Sequence, residues 1–187
     1  MSTRDTIVDA ACSCLCSAGM HGVTVAMVAK AARVSSALVH YHFATKRQLL
    51  AGAAAELARR RAEQRGAALA SARGLSGLDA LWGGLAGSGE RVAADLVLLG
   101  RDRETRVALL AERRRELARV ADALPPLFAS LGAAPPVPPE DLAATVCTFL
   151  DGAAAALAAG VPAADVRASY DAFWLALVAL GQTAPSR

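Results

Sequence analysis

Between Thr24 and Lys46 the sequence gathers Thr24, Ser35, Ser36, His40, Tyr41, His42 and Lys46. Hydroxyls, an ammonium, a phenol and imidazoles close together suit the binding of phosphates and base edges. Metal binding is excluded for the histidine pair. At 3.6 residues per turn, His40 and His42 stand roughly 200° apart and cannot share an ion. Cys12, Cys14, Cys16 and Cys147 form neither a CxxC nor a zinc spacing, so free thiols are expected. The sequence has no Gly-rich phosphate loop, no GxSxG and no HExxH. Neither an enzyme nor a cofactor is expected.

Charge supports a polyanion contact. The formal net charge is +3. Residues 1–47 carry Arg4, Lys30, Arg33, Lys46 and Arg47 against only Asp5 and Asp9, so the remainder is net neutral. All three histidines also lie in this basic segment. The other basic runs, Arg59–Arg61 and Arg113–Arg115, alternate with Glu56, Glu63, Glu112 and Glu116 and read as solvated helix faces.

The elements holding these residues must be helices. Hydrophobic residues make up 55% of the 187, but aromatics only 4%; the apolar content is largely Ala and Leu, strong helix formers. Disorder and an all-β fold are both disfavoured. A capping box at Ser2–Asp5 opens a helix over Thr3–Ala18, with Gly19 as its stop and Ile7, Ala11, Cys14, Leu15 and Ala18 as its buried stripe. Thr24 caps a short helix Val25–Ala32, Ser35 caps Ser36–His42, and Thr45 opens a long helix towards Arg73. Further helices are expected near Leu78–Ala86, Glu90–Gly100, Arg103–Leu124 (ending before Pro125-Pro126), Glu140–Ala159 and Ala163–Gly181. Although Ala10–Ala29 lacks Asp, Glu, Lys and Arg, Ser, Gly, His and Thr interrupt it. A soluble, cytoplasmic protein with no membrane contact is expected.

Two short helices joined by a tight turn, behind a buttressing helix, have the form of a helix-turn-helix. The residues Ile7–Ala11, Ala18-Gly19, Gly22–Val25, Val28-Ala29, Ala32–Ser35, His40–Phe43, Lys46 and Leu49-Leu50 resemble the TetR family of bacterial transcriptional regulators. That resemblance implies an all-α homodimer: a helix-turn-helix DNA-binding domain over 1–47, and a ligand-binding and dimerisation domain over 48–187. It places Thr24 and Lys46 on backbone phosphate. Ser36, Ala37 and Leu38, with their cap Ser35, fall near base edges, and His40 and Tyr41 at groove-facing positions. Two residues depart from the family pattern. Ala26 stands where a basic residue is common, and Arg33 replaces the turn glycine, where a left-handed backbone would strain an L-residue by about 1 kcal/mol.

In the body, no charge follows Asp171 until Arg187, and a helix apolar all round must be covered all round. Leu150, Leu157, Phe173, Trp174, Leu177 and Val178 are therefore expected at a dimer interface. The family's pocket would be walled by large apolar residues such as Trp82, Leu96, Leu99 and Phe149, taking a small apolar or amphipathic effector. The reading is a ligand-responsive repressor on a palindromic double-stranded operator. An activator, an effector-independent regulator or a helical ligand-sequestering protein are the alternatives.

Overall fold

A computed structural model describes residues 2–87 and 103–183. The expected helix at Glu90–Gly100, with Leu96 and Leu99, lies outside them. The described residues form an all-α fold of eight helices: α1 (Thr3–Gly22), α2 (Val25–Ala32), α3 (Ser36–His42), α4 (Lys46–Ser71), α5 (Gly74–Gly87), α6 (Arg103–Ser130), α7 (Pro139–Ala158) and α8 (Ala163–Thr183). They divide into two compact units. The first takes the chain through Arg61 and the start of α6 through Arg113; the second takes Ala62 to the end of α5 and the chain from Arg114 onward.

In the first unit the starts of the helices follow from local chemistry. Ser2 Oγ accepts from Asp5 N–H while the Asp5 carboxylate accepts from Ser2 N–H, the reciprocal box that opens α1. The contact with Ser2 holds the Asp5 carboxyl below its ordinary pKa. α1 breaks at Gly19, whose φ of 66° and ψ of 171° leave the helical region before a last turn to Gly22. Ile7, Ala11, Val23, Val28, Val39, Phe43 and Leu49 bury together; Ala18, expected in the stripe, is exposed. All four cysteines are free, Cys16 alone being exposed. Cys12 packs with its thiol on the Ala53 carbonyl at 3.5 Å, and burial pushes its pKa up to about 12. That suppresses the thiolate needed for redox chemistry.

Two features of the second unit correct the sequence expectations. α6 does not end at Leu124 but continues through Pro125 and Pro126 to Ser130. Each proline removes a donor and crowds the preceding turn, at about 3 kcal/mol or more. Leu124, Leu127 and Phe128 are all fully buried around them, each contributing roughly 1.5–3 kcal/mol, so packing overrides the break. The second correction concerns charge. Glu116, expected on a solvated face, is buried, and so is Arg65; in the first unit Glu112, expected on the same face, is buried too. Arg65 on α4 forms an ion pair with Glu116 of α6 at 2.8 Å and donates a hydrogen bond to Asp151 of α7 at 2.7 Å.

α7 is long and apolar enough by composition to cross a membrane. Instead, Leu142, Val146, Cys147 and Leu150 pack into the core with Leu124, Phe128 and Tyr170. Tyr170 donates its hydroxyl to the Leu78 carbonyl at 2.8 Å, tying α8 to α5. At the end of α8, Gly181 meets the 133–139 connection so closely that a Cβ there would lie 2.1 Å from the Ala134 carbonyl oxygen.

Candidate nucleic-acid interface

Three helix starts in the head are capped by hydroxyl side chains. Thr24 Oγ1 accepts from Met27 N–H at 3.2 Å, Ser35 Oγ from Leu38 N–H at 3.1 Å, and Thr45 Oγ1 from Gln48 N–H at 3.1 Å. Each hydroxyl oxygen is used as an acceptor by its helix, which leaves the hydroxyl proton free to donate to a phosphate. The Gln48 side chain turns back to accept from Ala44 N–H at 3.1 Å, completing the start of α4.

α3 is anchored by its inner side. Val39 is fully buried, and Phe43, which ends the helix by donating its N–H to Val39 O at 2.8 Å, is 4% exposed. The outer side carries Ser36, Ala37, His40 and Tyr41, all exposed. Their i, i+1, i+4, i+5 spacing puts them on one helical face. Tyr41 is 82% exposed, a large aromatic given almost entirely to solvent, with an edge contact to His42 as its ring partner. Leu38 is half-buried and His42 likewise, so Leu38 contributes only part of its side chain to this face. Lys46 is exposed and is the first residue of α4, so it adds a cation at the positive end of a helix, a ready anion position.

Electrostatics leave this surface positive. No Asp or Glu occurs between Asp9 and Glu56, and both head acids are engaged on α1: Asp5 in the capping box and Asp9 with Arg60. Glu56 is bound by Arg59 and Arg60 at 2.7 and 2.6 Å, and the Arg59 hydrogen bond leads in holding its carboxyl down at about 2. Arg4 stands over the Phe43 ring at 5.1 Å.

Residues 7–53 match the bacterial regulatory proteins of the tetR family. Through these residues the head is similar to the DNA-binding region of that family. Members of this family bind DNA through a helix-turn-helix and are not enzymes; repression and homodimers are typical of them. Solved structures extend the likeness in fold to nearly the whole chain. A chain of Rhodococcus sp. RHA1 assigned as a transcriptional regulator matches with a TM-score of 0.79 at 19% identity, covering 97% of this chain and 100% of that one. A Rhodococcus sp. chain assigned to the TetR-family regulators gives 0.71 at 20% identity, covering 94% and 98%. A Saccharomonospora viridis regulator in complex with choline gives 0.69 at 19%, covering 91% and 94%. At these identities the likeness speaks for the fold. The comparison with curated proteins gives no match.

The other expected site residues that the structure describes fall in the second unit. Trp82 and Phe149 meet through Tyr170, their ring centroids 5.3 and 6.5 Å from it, and Phe149 stacks on Phe173 at 3.9 Å. Trp174 joins the same aromatic group. Leu150 and Trp174 are buried within this unit, while Leu157, Phe173, Leu177 and Val178 are half-buried. On α8 Leu180, part of the charge-free stretch, is 57% exposed, and Leu175, which the sequence pattern does not single out, is 72% exposed. An apolar face interrupted by no charge was the available signal.

Proposed function

We propose that this protein is a TetR-family regulator: a cytoplasmic, ligand-responsive repressor that binds a palindromic operator as a homodimer and releases it when a small molecule occupies its body. One observation carries the DNA-binding part. Ser36, Ala37, His40 and Tyr41 form an exposed face on a helix held rigidly from behind, flanked by Thr24, Ser35 and Lys46. In this reading Thr24 and Lys46 grip phosphate, and the α3 face enters the major groove. Residues 1–47 act as the DNA-binding domain and 48–187 as the ligand-binding and dimerisation domain.

The dimer is proposed through α7 and α8, where Leu157, Phe173, Leu177 and Val178 keep partial exposure and Leu175 and Leu180 stand out. Two-fold pairing is the common way to bury such a face. The aromatic group around Tyr170 supports an effector with an apolar body, and a structural neighbour that holds choline supports small-molecule binding by this fold.

The test is selection of duplexes from a randomised pool by the wild-type chain. A palindromic consensus is expected, and His40→Ala and Tyr41→Ala should each weaken its binding by about 1–3 kcal/mol. A true effector must lower operator affinity by the same factor by which operator lowers effector affinity, typically about 1–3 kcal/mol. Recovery of no consensus would overturn the regulator reading. Tight effector binding without that reciprocity would leave a sequestering protein.

A further inference from the structure

Among the described residues, one non-glycine residue has a positive φ: Arg33, at φ 56° and ψ 41° in the turn between α2 and α3. Its N–H closes α2 on the Ala29 and Lys30 carbonyls, and Val34 N–H reaches Ala29 O at 3.0 Å. Glycine takes this left-handed position without strain and asparagine with little, whereas a long side chain is disfavoured there. Arg33 gains nothing from the fold in exchange. Its side chain is exposed, and its guanidinium has no hydrogen bond, ion pair or ring contact with any described residue. Backbone strain kept without a structural return is a pointer to function.

Position suggests which function. Arg33 stands two residues before Ser35, the cap of α3, so its Cα lies within about 7 Å of the cap along the chain. From there a guanidinium can reach the strand bordering a groove that the first turn of α3 enters. No acidic residue of the helix-turn-helix competes for it. A guanidinium fork matches phosphate oxygens in a two-point bond that an ammonium cannot make. We propose that Arg33 is a further DNA-contacting residue, its guanidinium binding a backbone phosphate beside the α3 groove and adding an anchor at a turn where the family pattern has glycine. The proposal rests on the DNA-binding reading above.

Arg33→Asn and Arg33→Gly remove the cation and relieve the backbone; Arg33→Lys keeps the charge without the fork. Anisotropy titrations would use the full chain, a duplex it has selected and a range of salt. Both relieved variants should melt at or above the wild-type temperature, yet bind several-fold more weakly, with the log–log salt slope reduced by about one. Arg33→Lys should keep the slope and lose part of the affinity. Wild-type affinity and slope in Arg33→Asn and Arg33→Gly would overturn the proposal while leaving the regulator reading intact. A wild-type chain without salt-dependent DNA binding would overturn both. Lower melting temperatures in the two relieved variants would contradict the strain on which the proposal stands.

Discussion

The head and the body use polar and apolar groups in opposite ways. In the helix-turn-helix the apolar residues are sealed inward, with Val28 and Val39 fully buried, and the polar residues Thr24, Ser36, His40, Tyr41 and Lys46 face solvent. In the second unit Arg65 and Glu116 are buried and paired, while Leu175 and Leu180 are exposed. A polar group left open at the surface is available to a charged partner. One locked inside serves the fold, and an exposed apolar face calls for another apolar surface.

The sharpest break of this contrast is Arg65→Ala. The substitution takes one buried cation away from two carboxylates, Glu116 and Asp151, and breaking such a cluster costs about 3–5 kcal/mol. Denaturant unfolding should show that loss. A variant as stable as wild type would mean that the buried charges of the body do not support its fold.

Next in size is the apolar face of α8. Leu177→Asp, or Asp placed at Leu175, would desolvate a carboxylate in a dimer interface and should convert the protein to monomer in sedimentation. Leu175 is 72% exposed in one chain, so its substitution tests assembly with little effect on the fold of the subunit. A wild-type chain already monomeric at micromolar concentration would remove the contrast.

The smallest effect concerns Glu56, paired with Arg59 and Arg60 in the first unit. Its carboxyl is lowered from 4.5 to about 2 in the folded chain. A depressed carboxyl contributes stability above its unfolded pKa and loses it as pH falls through the folded value. Melting temperature should therefore fall between about pH 4.5 and pH 2, and Glu56→Gln should flatten that part of the profile. An unchanged profile in the variant would show that the pair is solvated rather than stabilising.

The head was legible in the sequence because its determinants are local. Ser2, Thr24, Ser35 and Thr45 each cap a helix within three residues, and the turn at Arg33 takes the left-handed geometry that the family resemblance implies. The body was less legible because its determinants are distant. Pro125 and Pro126 read as a stop, yet α6 continues because Leu124, Leu127 and Phe128 are buried by other helices. Arg65 finds Asp151 across 86 positions, and no residue near it in sequence marks it as a buried cation. In the sequence Trp82 and Phe149 stand out only as large apolar residues, and nothing in their spacing reveals Tyr170 between them. The exposure of Leu175 and Leu180 likewise depends on which side of α8 the core takes up.

That the open polar surface of the head holds DNA phosphate is tested most directly by binding as a function of salt for the wild type and Lys46→Ala. Lys46 is exposed at the start of α4 and has no role in the core, so its substitution changes surface charge and little else. The wild type should bind a selected duplex with affinity falling steeply as salt rises. Lys46→Ala should bind every duplex more weakly, with a slope smaller by about one and an unchanged melting temperature. The same affinity and the same slope in both proteins would contradict the account.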